Sequence, residues 1–161
     1  MPDGLLGTSH RENTHRQSNR IAIVTRNRPY QLLIADDDPD FRDVLRSIFE
    51  PWFALLEAVS GEQAVEIVEG ERVDLVLLDM NMERLTGIET IRIVKQIDVR
   101  LPCILVTGDY DEQLQQEALQ ADAWSVLPKP VRKRELIHCV SEAIDSTYGD
   151  PDVFSRNAAM N

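Results

Sequence analysis

Val73-Asp-Leu-Val-Leu-Leu-Asp79 is apolar at almost every position and stops abruptly at a carboxylate. A strand with one wet face alternates polar and apolar residues, whereas a strand covered on both faces reads as a continuous apolar run. The segment is therefore a central strand of a parallel sheet with helices on either side. Upstream, Gln31-Leu-Leu-Ile-Ala35 is a second short apolar run and ends in Asp36-Asp37-Asp38. Phe41, Val44, Leu45, Ile48 and Phe49 then recur at helical spacing, with Asp38 and Pro39 as N-cap and first-turn proline and Pro51 as the stop. Phe53 to Val59 predicts a strand, Ser60-Gly-Glu-Gln63 a capping box, and Ala64, Val65, Ile67 and Val68 a helix face.

The same rhythm continues downstream. Thr86-Gly-Ile-Glu89 offers a second capping box before Ile88, Ile91 and Val94. Pro102 to Val106 is a strand ending at Thr107-Gly108, and Asp111 to Gln120 is a helix carrying Leu114, Ala118 and Leu119. Ala123 to Leu127 is the fifth strand, and Arg132 to Ser146 the last helix. Five β–α repeats predict the α/β class, with one doubly wound, five-stranded parallel sheet.

Composition narrows the function. A chain of 161 residues supports one domain with spare ends, and no apolar run approaches the ~18 residues of a membrane span. The first residues lack the basic and apolar regions of a signal peptide, so the expected location is cytoplasmic, with no membrane partner. Residues 1–29 carry five Arg against Asp3 and Glu12, which leaves −14 for residues 30–161 from a total of −11. An acidic body argues against direct nucleic-acid binding. Residues 1–29 read as a polar, disordered extension, residues 30–147 as the domain, and residues 148–161 as a flexible tail. Cys103 and Cys139 are far apart in apolar segments and read as buried small hydrophobes, while His10 and His15 make at most a weak metal pair. His138 and the Gln113, Gln115, Gln116 and Gln120 set read as solvated helix residues.

In a doubly wound sheet, chemistry lies beyond the carboxyl ends of the strands. Those ends carry Asp36 and Asp37, Asp79, Thr107 with Gly108, and Lys129 between Pro128 and Pro130. Like charges crowded on one rim are costly unless a cation sits among them. Clustered carboxylates suit Mg²⁺, and a carboxylate beside the metal is suited to accept a phosphoryl group. On this reading Asp79 is the nucleophile, and Asp36 and Asp37 hold the metal. Thr107 and Lys129 each contact a phosphoryl oxygen, and Gly108 leaves room for a backbone N–H.

Four stretches, Leu33-Ile-Ala-Asp-Asp-Asp-Pro39, Asp74-Leu-Val-Leu-Leu-Asp-Met-Asn-Met82 with Gly87, Ile104-Leu-Val-Thr-Gly108 and Leu127-Pro-Lys-Pro130, resemble the receiver domain of two-component response regulators over about residues 30 to 146. The resemblance implies the CheY-like, flavodoxin-like strand order 2-1-3-4-5 and a bacterial phosphorelay role. Asp79 would be the phosphoacceptor, served by a sensor histidine kinase, a histidine phosphotransfer protein or a small phosphodonor. Mg²⁺ would be held by Asp37, Asp79 and the Asn81 backbone carbonyl, with Asp36 assisting through water, and the Lys129–Pro130 peptide would be cis. It further implies a stand-alone receiver, catalysing only its own phosphorylation and dephosphorylation and acting on an effector protein by surface binding.

Three positions depart from the family pattern. Val126 stands where an aromatic ring usually swings inward, Val131 replaces the aromatic after Lys-Pro, and Glu83 replaces a proline. A β-branched side chain cannot make the large swing, which leaves phosphorylation intact and puts the standard coupling in question; Trp124 reads first as a packed or partly exposed aromatic and second as a candidate substitute ring. Asn81 and Asp109 occupy positions that tune dephosphorylation in the family, and a polar pair there predicts a short-lived aspartyl phosphate. Competing readings are a phosphorylation-independent scaffold, an aspartyl-phosphate hydrolase and a flavin-binding protein. The hydrolase wants an acid where Asn81 stands, and the flavin protein wants hydroxyl- and glycine-rich loops where Asp36 and Asp37 stand. Val126 tilts the choice between relay or sink and effector binding towards the former.

Overall fold

The computed structural model describes residues 28–156. Five strands, β1 (Gln31–Ala35), β2 (Ala54–Ala58), β3 (Leu75–Asp79), β4 (Cys103–Thr107) and β5 (Ser125–Pro128), alternate with five helices. These are α1 (Pro39–Phe49), α2 (Gly61–Gly70), α3 (Gly87–Ile97), α4 (Glu112–Gln120) and α5 (Lys133–Tyr148). The strands form one parallel sheet in the order β2-β1-β3-β4-β5, as expected. The polar extension predicted over residues 1–29 lies outside the described residues, apart from its last two positions.

The period of two along the central strands divides the core into two layers. Leu33, Ala35, Val76, Leu78, Cys103 and Leu105 pack towards Ala64, Ile88, Ile91, Val94, Leu114 and Ala118 of α2, α3 and α4. Leu32, Ile34, Leu75, Leu77, Ile104 and Val106 pack towards Leu45, Phe49, Leu136, Val140 and Ile144 of α1 and α5. Both faces of β3 are thus covered, which is the physical reason for its unbroken apolar run. Cys103 and Cys139 are free and buried.

Side-chain caps set the helix starts. Asp38, Ser60, Thr86 and Asp111 accept hydrogen bonds from the backbone N–H groups of Asp40, Gln63, Glu89 and Leu114. The Gln63 side chain accepts instead from Val59 N at 2.8 Å, one residue before the cap of an ideal capping box. Gly87, first in α3, lies directly under the end of β3. A Cβ there would stand 2.5 Å from both the Asp79 carbonyl oxygen and Leu105 Cδ1, so only glycine lets α3 pack this close to Asp79.

Residues 148–156, part of the predicted tail, lie against the body of the domain. Gly149, at φ 69°, caps α5 in the left-handed conformation and turns the chain back onto the body. Tyr30 Oη donates to Asp150 Oδ2 at 2.8 Å, and Arg156 pairs with the same carboxylate. Val153 is buried, and the Phe154 ring packs against Phe49, Trp52 and Phe53. Tyr148 Oη donates to the Asp74 carbonyl at 2.7 Å. The segment lacks periodicity, and its aromatic partners lie about a hundred residues earlier, so neither of the patterns used to read sequence reveals it. Residues 157–161 of that predicted tail lie outside the described residues. Among the described residues, no helix is long and apolar enough to cross a membrane.

Candidate functional site

The parallel sheet delivers Asp36 from the end of β1, Asp79 from the end of β3, Thr107 from the end of β4 and Lys129 from just beyond β5 to one rim. Carboxylate oxygens of Asp36, Asp37 and Asp79 lie within 4.8 Å of one another. Asp36 and Asp79 are buried and Asp37 is exposed. Lys129 Nζ donates to Asp36 Oδ2 at 3.0 Å and stands 3.4 Å from Asp79 Oδ1. Two buried carboxylates are thus bridged by one partly buried ammonium, with a third carboxylate at the mouth.

The surrounding backbone holds these groups in place. Asp36 Oδ1 accepts from Asp38 N at 2.9 Å, and the Asp36 carbonyl accepts from Arg42 Nη1 at 2.7 Å. Lys129 N donates to the Thr107 carbonyl at 2.7 Å, which ties the Pro-Lys-Pro segment to the end of β4. The Lys129–Pro130 peptide is cis, as the resemblance implies. Thr107 is fully buried, and its Oγ1 accepts from Asp109 N at 3.1 Å. A Cβ at Gly108 would meet nothing within 4 Å, so the backbone there faces open space.

Burial pushes the Asp79 carboxyl above its ordinary value, and the nearby Asp36 charge pushes in the same direction. Lys129 and a hydrogen bond from the Asn81 backbone pull it back without cancelling the rise. Three carboxylates against one ammonium leave the site short of positive charge. A divalent cation with oxygen ligands matches that deficit, and Asp36, Asp37 and Asp79 supply a hard, all-oxygen donor set of the kind Mg²⁺ takes.

Two contacts were not legible in the sequence. Lys129 Nζ lies 4.1 Å from the centroid of the half-buried Phe41 ring in α1, a cation–π arrangement at the edge of the site. Phe41 read only as one apolar residue of a helix face, and no local signal distinguished it. The Asn81 side-chain amide donates to the Asp109 carboxylate, bridging the loops after β3 and β4. Each residue stands out in the sequence, but nothing local in it reveals their contact.

The departures from the family pattern also take their places. Val126 is half-buried and packs against the α2–α3–α4 core, and Val131 packs against the α1–α5 core. Glu83 is exposed. Trp124 is exposed, and its backbone enters the sheet far from Thr107: its N–H bonds to the Cys103 carbonyl at the start of β4, while Thr107 ends that strand. Four residues of strand put about 13 Å between them.

The model of the response regulator receiver domain matches residues 32–141. CheY of Halobacterium salinarum is 31% identical over 115 residues, covering 71% of this chain and 96% of that protein. The transcriptional regulatory protein GlrR of Escherichia coli is 26% identical over 134 residues, 83% of this chain. The chain spans only 30% of that relative's length. Among solved structures, a CheY-like receiver domain from Methanospirillum hungatei aligns with a TM-score of 0.73 at 24% identity, over 76% of this chain and 98% of that one. A chain of the CheX–CheY–BeF3–Mg²⁺ complex from Borrelia burgdorferi aligns with a TM-score of 0.70 at 26% identity, over 73% and 90%. With the family model covering more than half the chain, and an almost full-length relative above 30% identity, this chain belongs to the response regulator receiver domain family of two-component signalling.

Proposed function

We propose that Asp79 accepts a phosphoryl group, from a phosphohistidine of a sensor kinase or phosphotransfer protein or from a small phosphodonor. The observation that carries this reading is Lys129 Nζ, 3.0 Å from Asp36 and 3.4 Å from Asp79, facing a rim with three carboxylates. An Asp79 carboxylate oxygen attacks phosphorus as the bond from phosphorus to the donor nitrogen breaks, and the donor imidazole leaves with the electron pair. Lys129 and Thr107 contact the phosphoryl oxygens, and the backbone N–H at Gly108 approaches through the open space there. Asp37, Asp79 and the Asn81 carbonyl would hold Mg²⁺, with Asp36 assisting through water. When bound, the metal supplies charge neutralisation between the attacking carboxylate and the phosphoryl oxygens.

Val126 has no ring to carry the standard outward signal, and this supports a relay or sink role over an effector switch at the α4–β5–α5 face. The reaction is tested by incubating the protein with acetyl phosphate and Mg²⁺ and measuring intact mass for wild type and Asp79→Asn. Wild type gains one phosphoryl group and the variant gains none. A phosphorylated Asp79→Asn protein overturns the assignment.

A further inference from the structure

The segment after α5, beyond the receiver match at residues 32–141, supplies one wall of a groove whose other wall, on α5, lies within that match. The groove is about 620 Å³ and lies between the outer face of α5 and residues 151–155. Ile137, Pro151 and Phe154 form its apolar lining, and Lys133, Arg134 and His138 its polar edge. The groove is open to solvent along much of its length, so it suits a segment lying along it more than an enclosed small molecule. Phe154 is held by three rings, Phe49, Trp52 and Phe53, so this wall is organised before anything binds.

The charge of the groove contrasts with that of the chain. The protein carries 28 Asp and Glu against 17 Lys and Arg, yet no carboxylate is among the described residues that line the groove. His138 pairs with Glu142 at 3.2 Å, whereas Lys133 and Arg134 have no ion pair with any described residue. Both sit in the first turn of α5, where cations oppose the helix dipole. Two exposed cations without an ion-pair partner among the described residues, beside apolar walls, are complementary to a ligand that is both anionic and apolar.

We propose that this groove docks an acidic peptide segment of a partner protein that carries a bulky apolar anchor. The anchor fills the space between Ile137 and Phe154, and its flanking carboxylates meet Lys133 and Arg134. A lipid surface fits less well: polybasic membrane sites use about 4–8 cations on an exposed face, and this acidic body would be repelled by anionic headgroups. Nucleic acid is disfavoured by the same repulsion. The inference stands independently of chemistry at Asp79.

The test uses the full chain and fluorescein-labelled peptides containing one Phe and one Leu flanked by Glu and Asp, with the same peptides carrying Lys in place of the acids as controls. Anionic phosphatidylglycerol vesicles form a third arm. The acidic peptides are expected to bind with an affinity that falls as salt rises. Binding should weaken at least tenfold in the Lys133→Glu, Arg134→Glu double variant and in Phe154→Ala. Far-UV circular dichroism of the double variant, changed only at exposed positions, checks that the fold survives. Absence of acidic-peptide binding, equal binding of the basic controls, unchanged affinity in the folded double variant, or preference for the vesicles would each overturn the proposal.

Discussion

The Lys129 ammonium sits 4.1 Å from the centre of the Phe41 ring while it bonds to Asp36 at 3.0 Å. Two anions draw the head into the site, and the ring of α1 supports it from the side. A cation–π contact of this kind contributes about 0.5–2 kcal/mol. Phe41→Leu is therefore predicted to slow phosphorylation by acetyl phosphate about three- to tenfold, with Phe41→Tyr close to wild type. Initial rates by intact mass check it, and equal rates in Phe41→Leu and wild type would remove the ring from the mechanism.

Lys129 itself should matter more. Lys129→Met leaves Asp36 and Asp79 buried beside each other without their shared cation. We predict loss of phosphorylation by at least a hundredfold, because an electrostatic group aimed at developing charge is worth about 10²–10³ in rate. Lys129→Arg should recover little, since a planar fork cannot occupy the position of a compact ammonium. Full recovery with Arg would show that charge alone suffices.

Stability should depend on pH through Asp79. Its folded-state value is raised, so the folded chain holds this proton more tightly than the unfolded chain. The resulting stabilisation is complete below the unfolded carboxylate value and is lost as pH rises through the folded one. At neutral pH the ionised group is a net cost. Asp79→Asn is thus predicted to gain on the order of 1 kcal/mol, a few degrees in Tm. The gain should shrink as pH falls, and Mg²⁺ should stabilise wild type more than the variant. Thermal unfolding at several pH values decides this, and a variant less stable than wild type at neutral pH would contradict it.

The amide of Asn81 donates to the Asp109 carboxylate across the mouth of the site. We propose that this pair orients a water towards the phosphoryl group proposed on Asp79. Asp109→Ala should lengthen the lifetime of the phosphorylated protein on the order of tenfold. Decay of the phosphorylated mass after removal of donor measures it, and a shortened lifetime would mean that the bridge shields the phosphate instead.

The docked C-terminal segment should contribute to folding. Phe154→Ala removes a half-buried ring packed against three others and is predicted to destabilise by about 2 kcal/mol. Tyr30→Phe removes the bond to Asp150 and should cost about 1 kcal/mol. Urea unfolding of both variants tests the pair, and wild-type midpoints would mean the segment adds no stability.

What the amino-acid sequence determined by itself is local and periodic. Continuous apolar runs at β1, β3 and β4, helical spacing after each strand, and capping residues at Asp38, Ser60, Thr86 and Asp111 specify the β–α repeat, because each depends on neighbours within one or two turns. Strand ends then nominate Asp36, Asp37, Asp79, Thr107 and Lys129, since a doubly wound sheet sends all of them to one rim. Contacts between segments distant in the chain have no period to betray them. That Phe41 faces Lys129, that Asn81 reaches Asp109, that Trp124 lies at the wrong end of β5, and that Phe154 returns to Phe49 and Trp52 were decided only by tertiary packing. Packing brings together side chains that sequence separation leaves unrelated.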